Sequence, residues 1–209
     1  PGLTRKGMGR LTMLDGDVVE LSNLSRQQFF EKDIYENKAH CLAENLAPLS
    51  TCGTTLESID LNFEDAVAMG FDLSANAVVC GVDNSEARVA VSKHYARLGI
   101  PVIFLAVDYA AEQGYVCIQE PGKACFGCKF PKTMYARKAV CRAPASIDIL
   151  NTIGGLALYA IDSLLMDRKR DWNYRLIHLA GFAPDEIATV QRNAKCPLCG
   201  SEPVNTLPL

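Results

Sequence analysis

Broad positive charge is missing from this sequence. Its 209 residues carry 21 Lys and Arg against 24 Asp and Glu, a net charge of −3, with a pI near 5.7. That leaves no wide basic field for a nucleic acid, so a nucleic-acid partner is not expected. The one dense basic run, Arg168-Lys169-Arg170, falls where cations favour a helix C-terminus. Also missing is an uninterrupted apolar run. The stretch from Ile147 to Met166 is broken by Asp148, Asn151, Thr152, Asp162 and Ser163 and reads as too polar to span a bilayer. No basic-then-apolar leader opens the sequence, and no internal repeat or low-complexity linker divides it. What is present is ordinary for a globular chain: 49% hydrophobic and 22% charged residues, which excludes disorder, collagen and coiled coil. A chain this long is expected to bury about 70% of its unfolded surface. Nine cysteines without a leader point to a reducing compartment, where thiols bind metal or do chemistry. The expectation is a cytoplasmic globular protein with no membrane role.

Strand and helix signals alternate. Leu11 to Leu14 is a short apolar run ending at Asp15-Gly16-Asp17, a buried strand feeding a turn. Ala39, Leu42, Ala43 and Leu46 stand at helical spacing, and Thr54 to Ile59 reads as a weaker strand. Ala77 to Val82 is a buried strand, and Asp83 with Glu86 three residues on starts a helix that Gly99 stops. Pro101 to Val107 is another buried strand. This order predicts a Rossmann-like, doubly wound, mostly parallel α/β sheet. Beyond it, Tyr115 to Gln119 alternates like an antiparallel strand, and residues 121–145 read as irregular. A core helix follows from Ser146 to Met166. Leu176-Ile177 and Ile187 to Val190 suggest a closing hairpin. A single domain over residues 1–209 is expected.

Two Cys-x-x-Cys pairs, Cys125/Cys128 and Cys196/Cys199, carry metal-ligand spacing. Four thiolates on one tetrahedral Zn²⁺ would pin the C-terminal segment to the domain and add folding energy. Gly200 suits the tight turn around the second pair. The competing readings are a redox pair or two unrelated thiol pairs. A redox motif wants its pair opening a helix after a strand, and neither pair is expected there. Cys41, Cys52, Cys80 and Cys117 read as core.

Asp15 ends the first strand, where nucleotide-binding sheets place an acidic residue on the ribose hydroxyls. The glycine-rich loop expected about 20 residues earlier is not in the sequence, and Gly7-Met8-Gly9 does not replace it. On this ground alone the reading of Asp15 as a turn aspartate prevails. The segment Leu14 to Gln27, however, resembles the signature of the HesA/MoeB/ThiF family, the ubiquitin-activating-type adenylating enzymes. Asn37-Lys38-Ala39, Cys80-Gly81-Val82-Asp83-Asn84, Glu86-Ala87-Arg88, both cysteine pairs and the segment from Cys141 into the long helix follow in family order.

The resemblance implies ATP-dependent adenylation of the C-terminal carboxylate of a ubiquitin-like or sulfur-carrier protein ending in Gly-Gly. It implies that Arg26 and Lys38 neutralise the triphosphate, Asn23 and Gln27 bind phosphate oxygens, Asp83 holds Mg²⁺ and Asp15 holds the ribose. Asp17 would bind nucleotide or only shape the turn. Each residue also has a plainer reading: a surface ion pair for Arg26, a solvated helix residue for Lys38, an N-cap for Asp83. Lys138 and Arg142 flank Cys141, and adjacent cations favour a thiolate. The resemblance implies either a thioester-forming nucleophile there or a spectator thiol. The family's first strand, glycine-rich loop and first helix are not in this sequence, which begins at Pro1 rather than Met; residues upstream are expected to supply them. A homodimer or heterodimer is expected. A catalytically silent scaffold half and a tRNA-modifying dehydratase of the same superfamily stand as alternatives.

Overall fold

A computed structural model describes residues 1–108, 110–131 and 145–200. The chain falls into two compact units, residues 1–73 and residues 74–209.

In the first unit a one-turn helix α1 (Gly2–Arg5) precedes strand β1 (Arg10–Leu14), where the sequence suggested no helix. It is anchored by its buried Thr4, whose carbonyl accepts from Thr54 Oγ1 at 3.3 Å. Helix α2 (Lys38–Leu46) leads to β2 (Thr55–Ile59), which pairs parallel to β1 from Arg10↔Thr55 to Leu14↔Ile59. Ala39, Cys41 and Leu46 form the buried face of α2, and Cys41 joins Val19 and Phe29 in a small core. Helix α3 (Phe63–Ala68) closes the unit.

The second unit is a five-stranded sheet in the order β3-β4-β5-β6-β7. Its first pair is parallel: β3 (Val78–Cys80) and β4 (Val102–Val107), joined by helix α4 (Ser85–Leu98). Gly99 ends α4 in the left-handed conformation, φ 66°, as a glycine C-cap should. The next connection is too short for a crossover, because a parallel return needs about a dozen residues. Asp108 Oδ1 instead accepts from the N–H groups of Glu112 and Gln113, and the chain turns back antiparallel into β5 (Gln113–Gln119). Strands β6 (Tyr174–His178) and β7 (Glu186–Ala188) add two more antiparallel pairings. The sheet is therefore mixed: the expected antiparallel C-terminal extension is there from β5 onward, while the mostly parallel part of the expectation does not hold, because only α2 and α4 serve as crossovers among the described residues.

Helix α6 (Ile147–Leu165) covers one face of β4 and β5. The approach is close enough that a Cβ at Gly114 would meet Ile153 Cγ1 at 2.8 Å. With mean hydropathy 1.3, α6 is long and apolar enough to cross a membrane on length and composition, against the sequence expectation. Its Ile149, Ile153, Ala157, Ala160 and Ile161 are nevertheless buried on one side, the pattern of a core helix. On the opposite face Phe104 stacks on Phe126 at 4.6 Å. Phe126 belongs to a further one-turn helix, α5 (Phe126–Lys129), in the segment expected to be irregular.

Candidate functional site

The turn after β1 is built around Asn37. Its Oδ1 caps α2 by accepting from His40 N at 2.9 Å. Its Nδ2 donates to the carbonyls of Asp15, at 2.9 Å, and Asp17, at 3.2 Å, and to the Asp60 carboxylate. Asp15 Oδ1 accepts from Asp17 N at 2.9 Å. A Cβ at Gly16 would meet Asn62 N at 2.9 Å, so the turn passes the 60–62 loop only with glycine there. The result brings three predicted residues together. Asp15 is half-buried, and Asp17 is paired with Lys38 Nζ at 2.9 Å, the lysine side chain only 18% exposed against 70% for the aspartate. Lys38 is thus a largely buried stem presenting its charge at the turn, not a freely solvated helix residue.

Asn23, Arg26 and Gln27 share the next turn. Asn23 is buried; its Oδ1 accepts from Glu20 N at 2.9 Å, which leaves its amide NH₂ as the donor it can offer. The N–H groups of Arg26 and Gln27 both donate to the Asn23 carbonyl, at 3.1 and 2.9 Å. The Arg26 guanidinium folds back on the Ser22 carbonyl, while Gln27 is exposed.

In the second unit the cap of α4 is Asn84, whose Oδ1 accepts from Ala87 N at 2.7 Å. Asp83 is therefore not the cap. It stands exposed between β3 and α4, a carboxylate with no side-chain partner among the described residues. One turn into α4, Arg88 has its Nε buried without a hydrogen bond among the described residues. Cys141, with Lys138 and Arg142, lies outside the described residues.

The four cysteines of the two pairs converge. Cys125 Sγ lies 3.8 Å from Cys128 Sγ and 3.5 Å from Cys196 Sγ, and Cys128 Sγ lies 3.5 Å from Cys199 Sγ. Four ligands at a Zn–S distance of about 2.3 Å in a tetrahedron stand about 3.8 Å apart, so the donor set fits an ion of that size and softness. Small residues make the fit possible. A Cβ at Gly127 would meet Leu198 Cγ at 2.9 Å, and one at Gly200 would strike the carbonyls of Ala194 and Cys196. Burial, with Cys199 and Cys128 close by, pushes the Cys125 thiol up. Cys128 is held below the usual thiol value despite burial, because the N–H groups of Asn193 and Cys125 point at its sulfur. Four thiols crowded in this way favour a cation that lets them ionise together. The first pair does open a short helix after a strand, contrary to the sequence expectation: Cys125 is the N-cap of α5. Its packing against Cys196, 71 residues away, argues for a four-thiol site over a redox pair.

A family model described as the ThiF family matches residues 2–200. The chain belongs to the ThiF family. Among its relatives is the sulfur carrier protein adenylyltransferase of Thermus thermophilus, 29% identical over 210 residues that span 96% of this chain and 77% of that protein. Another is ubiquitin-like modifier-activating enzyme 5 of Oryza sativa subsp. japonica, 30% identical over 185 residues, 78% of this chain and 44% of the enzyme. The solved structure of E. coli MccB with MccA-N7isoASN superposes with a TM-score of 0.78 at 18% identity, over 96% of this chain and 64% of that one. This likeness is one of fold. The chain spans less than half of the rice enzyme's length and less than two thirds of MccB.

In this ThiF-family chain the sequence motifs carried more than their named site residues. Asn37 was visible only as part of Asn37-Lys38-Ala39, yet it organises the whole Asp15–Asp17 turn. Arg88 was visible only within Glu86-Ala87-Arg88, and its buried Nε, without a hydrogen bond among the described residues, adds a cation to the candidates. Asp60 had no local signal. Cys41, Cys80 and Cys117 are buried as expected, whereas Cys52 is exposed.

Proposed function

We propose that this chain is an ATP-dependent adenylating enzyme that activates the C-terminal carboxylate of a ubiquitin-like or sulfur-carrier protein ending in Gly-Gly. The observation that carries the reading is the ThiF match across residues 2–200. The names of the Thermus and rice relatives support that substrate class. Both units would serve as one adenylation domain.

Activation joins a carrier carboxylate oxygen to the α-phosphorus of ATP and breaks the bond to the β-phosphate, releasing pyrophosphate. The barrier lies mostly in positioning and charge, so the roles follow from the side chains on offer. Lys38, Arg26 and Arg88 are cations for the phosphates. The Asn23 amide and Gln27 donate to phosphate oxygens, and Asp15 and Asp17 take the ribose side. Asp83, unburdened by capping, would hold Mg²⁺, which supplies charge neutralisation on the phosphates. Cys125, Cys128, Cys196 and Cys199 would hold a structural Zn²⁺. In a second step the Cys141 sulfur would bond to the carbonyl carbon of the acyl-adenylate and AMP would leave, giving a thioester. A dimer and a cytoplasmic location complete the proposal.

The test is exchange of radiolabelled pyrophosphate into ATP in the presence of a carrier, using protein from the full-length gene. Asp83→Ala is expected to cut exchange at least about 100-fold without unfolding the chain, and Cys141→Ala to leave it intact. Absence of exchange in the unmutated, metal-loaded protein would turn the assignment to a silent scaffold.

A further inference from the structure

A cavity of about 650 Å³ lies in the second unit, where β6 emerges beside α6, and the adenylation reading makes no use of it. The alternation of β5 places Gly114, Val116 and Ile118 on the face that α6 covers. Arg175 is paired with Val116 and so points to the same face. There it meets Leu156 and Tyr159 of α6 and the Lys169–Trp172 loop.

Two arginines share this space in opposite states. Arg170 is bonded through all three nitrogens: Nε donates to Ser163 Oγ at 2.9 Å, Nη1 to the Trp172 carbonyl, and Nη2 to Glu120 at 2.6 Å. Arg175 has its Nε buried with no hydrogen bond among the described residues. Its guanidinium carbon lies 5.9 Å from the Trp172 ring centre. With Nε closed off from solvent, a ligand would be taken by the terminal Nη groups, whose paired N–H donors fit a carboxylate.

Charge and shape narrow the ligand. With Arg170 neutralised by Glu120, the walls keep Lys169 and Arg175 against Asp171, one net positive charge. That balance suits a carboxylate better than a di- or trianionic phosphate group. The volume lies in the range of ligand pockets, about 300–1,000 Å³, and Leu156 and Tyr159 give it an apolar side. Ile187, 59% exposed, stands directly opposite Arg175 on β7 and shares its face. A free small anion would leave that surface bare, whereas a polypeptide with an apolar neighbour would cover it. We propose that this cavity binds an acidic side chain of a partner polypeptide, its carboxylate seated on Arg175 with Lys169 at the rim. The proposal does not depend on the adenylation reading.

Trp172 is the only tryptophan in the chain, so its fluorescence reports on this cavity alone. The probes are the peptide acetyl-Ala-Leu-Glu-Ile-Ala-amide, its Gln counterpart and inorganic phosphate, titrated into the whole chain. A saturable change with the Glu peptide is expected, at least about tenfold weaker for the Gln peptide and for Arg175→Gln. Lys169 is exposed, so Lys169→Glu should keep the fold and abolish the response even if Arg175→Gln fails to fold. Equal binding of the two peptides would overturn the proposal, as would indifference to Lys169→Glu. A phosphate response that matches the Glu peptide and survives Arg175→Gln would mean an adventitious ion only and overturn it too.

Discussion

The two units place their busiest amide side chains at different depths. In residues 1–73 Val19, Phe29 and Cys41 form a core cluster, and beside the buried Asn23 and Asp33 the half-buried Asn37 organises the loops. Asn37 ties three backbone and side-chain partners and leaves the Asp17–Lys38 pair at the surface. In residues 74–209 Phe104, Phe126, Ile103, Ile118 and Ile149 are fully buried, and the key polar group is turned inward. Gln119, 3% exposed, accepts from Ser92 Oγ at 2.6 Å and from Phe126 N at 3.1 Å, and donates to the Ser92 carbonyl at 2.9 Å. Asn37 works at the edge of a surface turn, whereas Gln119 locks α4, β5 and α5 together from within.

The largest effect should come from the four-cysteine site. Structural zinc contributes an apparent free energy on the order of 10 kcal/mol in small zinc-bound folds. Cys196→Ser, or a strong chelator, is expected to lose the metal and release residues 189–200. Hydrogen exchange would show lost protection there and around α5, with residues 1–73 unchanged. Elemental analysis that finds no metal in the unmutated protein would remove the premise.

Next comes the inward hub. Gln119→Leu strands the Ser92 hydroxyl and the Phe126 N–H in the core, at about 1–3 kcal/mol for each group left unsatisfied. A fall of about 2–4 kcal/mol in the urea unfolding free energy is expected, confined to the 74–209 unit. Gln119→Glu should recover less than half of it, since a buried carboxylate cannot donate to the Ser92 carbonyl. An effect under about 0.5 kcal/mol would mean that water replaces the hub.

Much of this architecture is legible in the sequence, because the informative signals are local. Gly99 stops α4 where it stands in the sequence, and the apolar runs at β1, β3 and β4 are strands. The ends slip where two residues compete for one role. Asp83 and Asn84 can both cap a helix, and only the hydrogen bond to Ala87 N decides for Asn84. The turn α5 was hidden because four residues are too few for periodicity. The antiparallel turn-back was legible in the alternation of Tyr115 to Gln119, whereas how few parallel pairings precede it was not. Among the candidate site residues, the motifs named Asp15, Asp17 and Lys38, which do come together. The bonds of Asn37 to partners 20 to 23 residues away have no signature in a one-dimensional pattern.

A smaller effect should sharpen the comparison from the other side. Asn37→Ala removes the α2 cap and the bonds to the Asp15 and Asp17 carbonyls, at about 1–2 kcal/mol. Hydrogen exchange should register it only within residues 1–73. If the adenylation reading holds, Mg-ATP affinity should fall by more than this stability loss would suggest, because the Asp15–Asp17 turn loses its geometry. Calorimetric titration beside a thermal melt separates the two. Equal losses in both units would break the division drawn here.

The smallest effect is acid sensitivity, and it tests both units at once. Asp33, 2% exposed, is held below the usual carboxylate value. Burial opposes this, but bonds from Lys32, the Phe30 N–H and Asn45 outweigh it. Glu120 is held down in the same sense, with burial overcome by Lys123 and Arg170. A carboxyl whose folded pKa is depressed stabilises the fold fully above its unfolded value, near 4. That contribution is lost as pH falls through the folded value. Denaturant midpoints should therefore be flat from pH 7 to about 5 and decline below about 4. The gap between wild type and Asp33→Asn should close across that decline for probes in residues 1–73, and that for Glu120→Gln in residues 74–209. A gap that stays constant down to pH 2 would mean that these variants act through packing, not through charge.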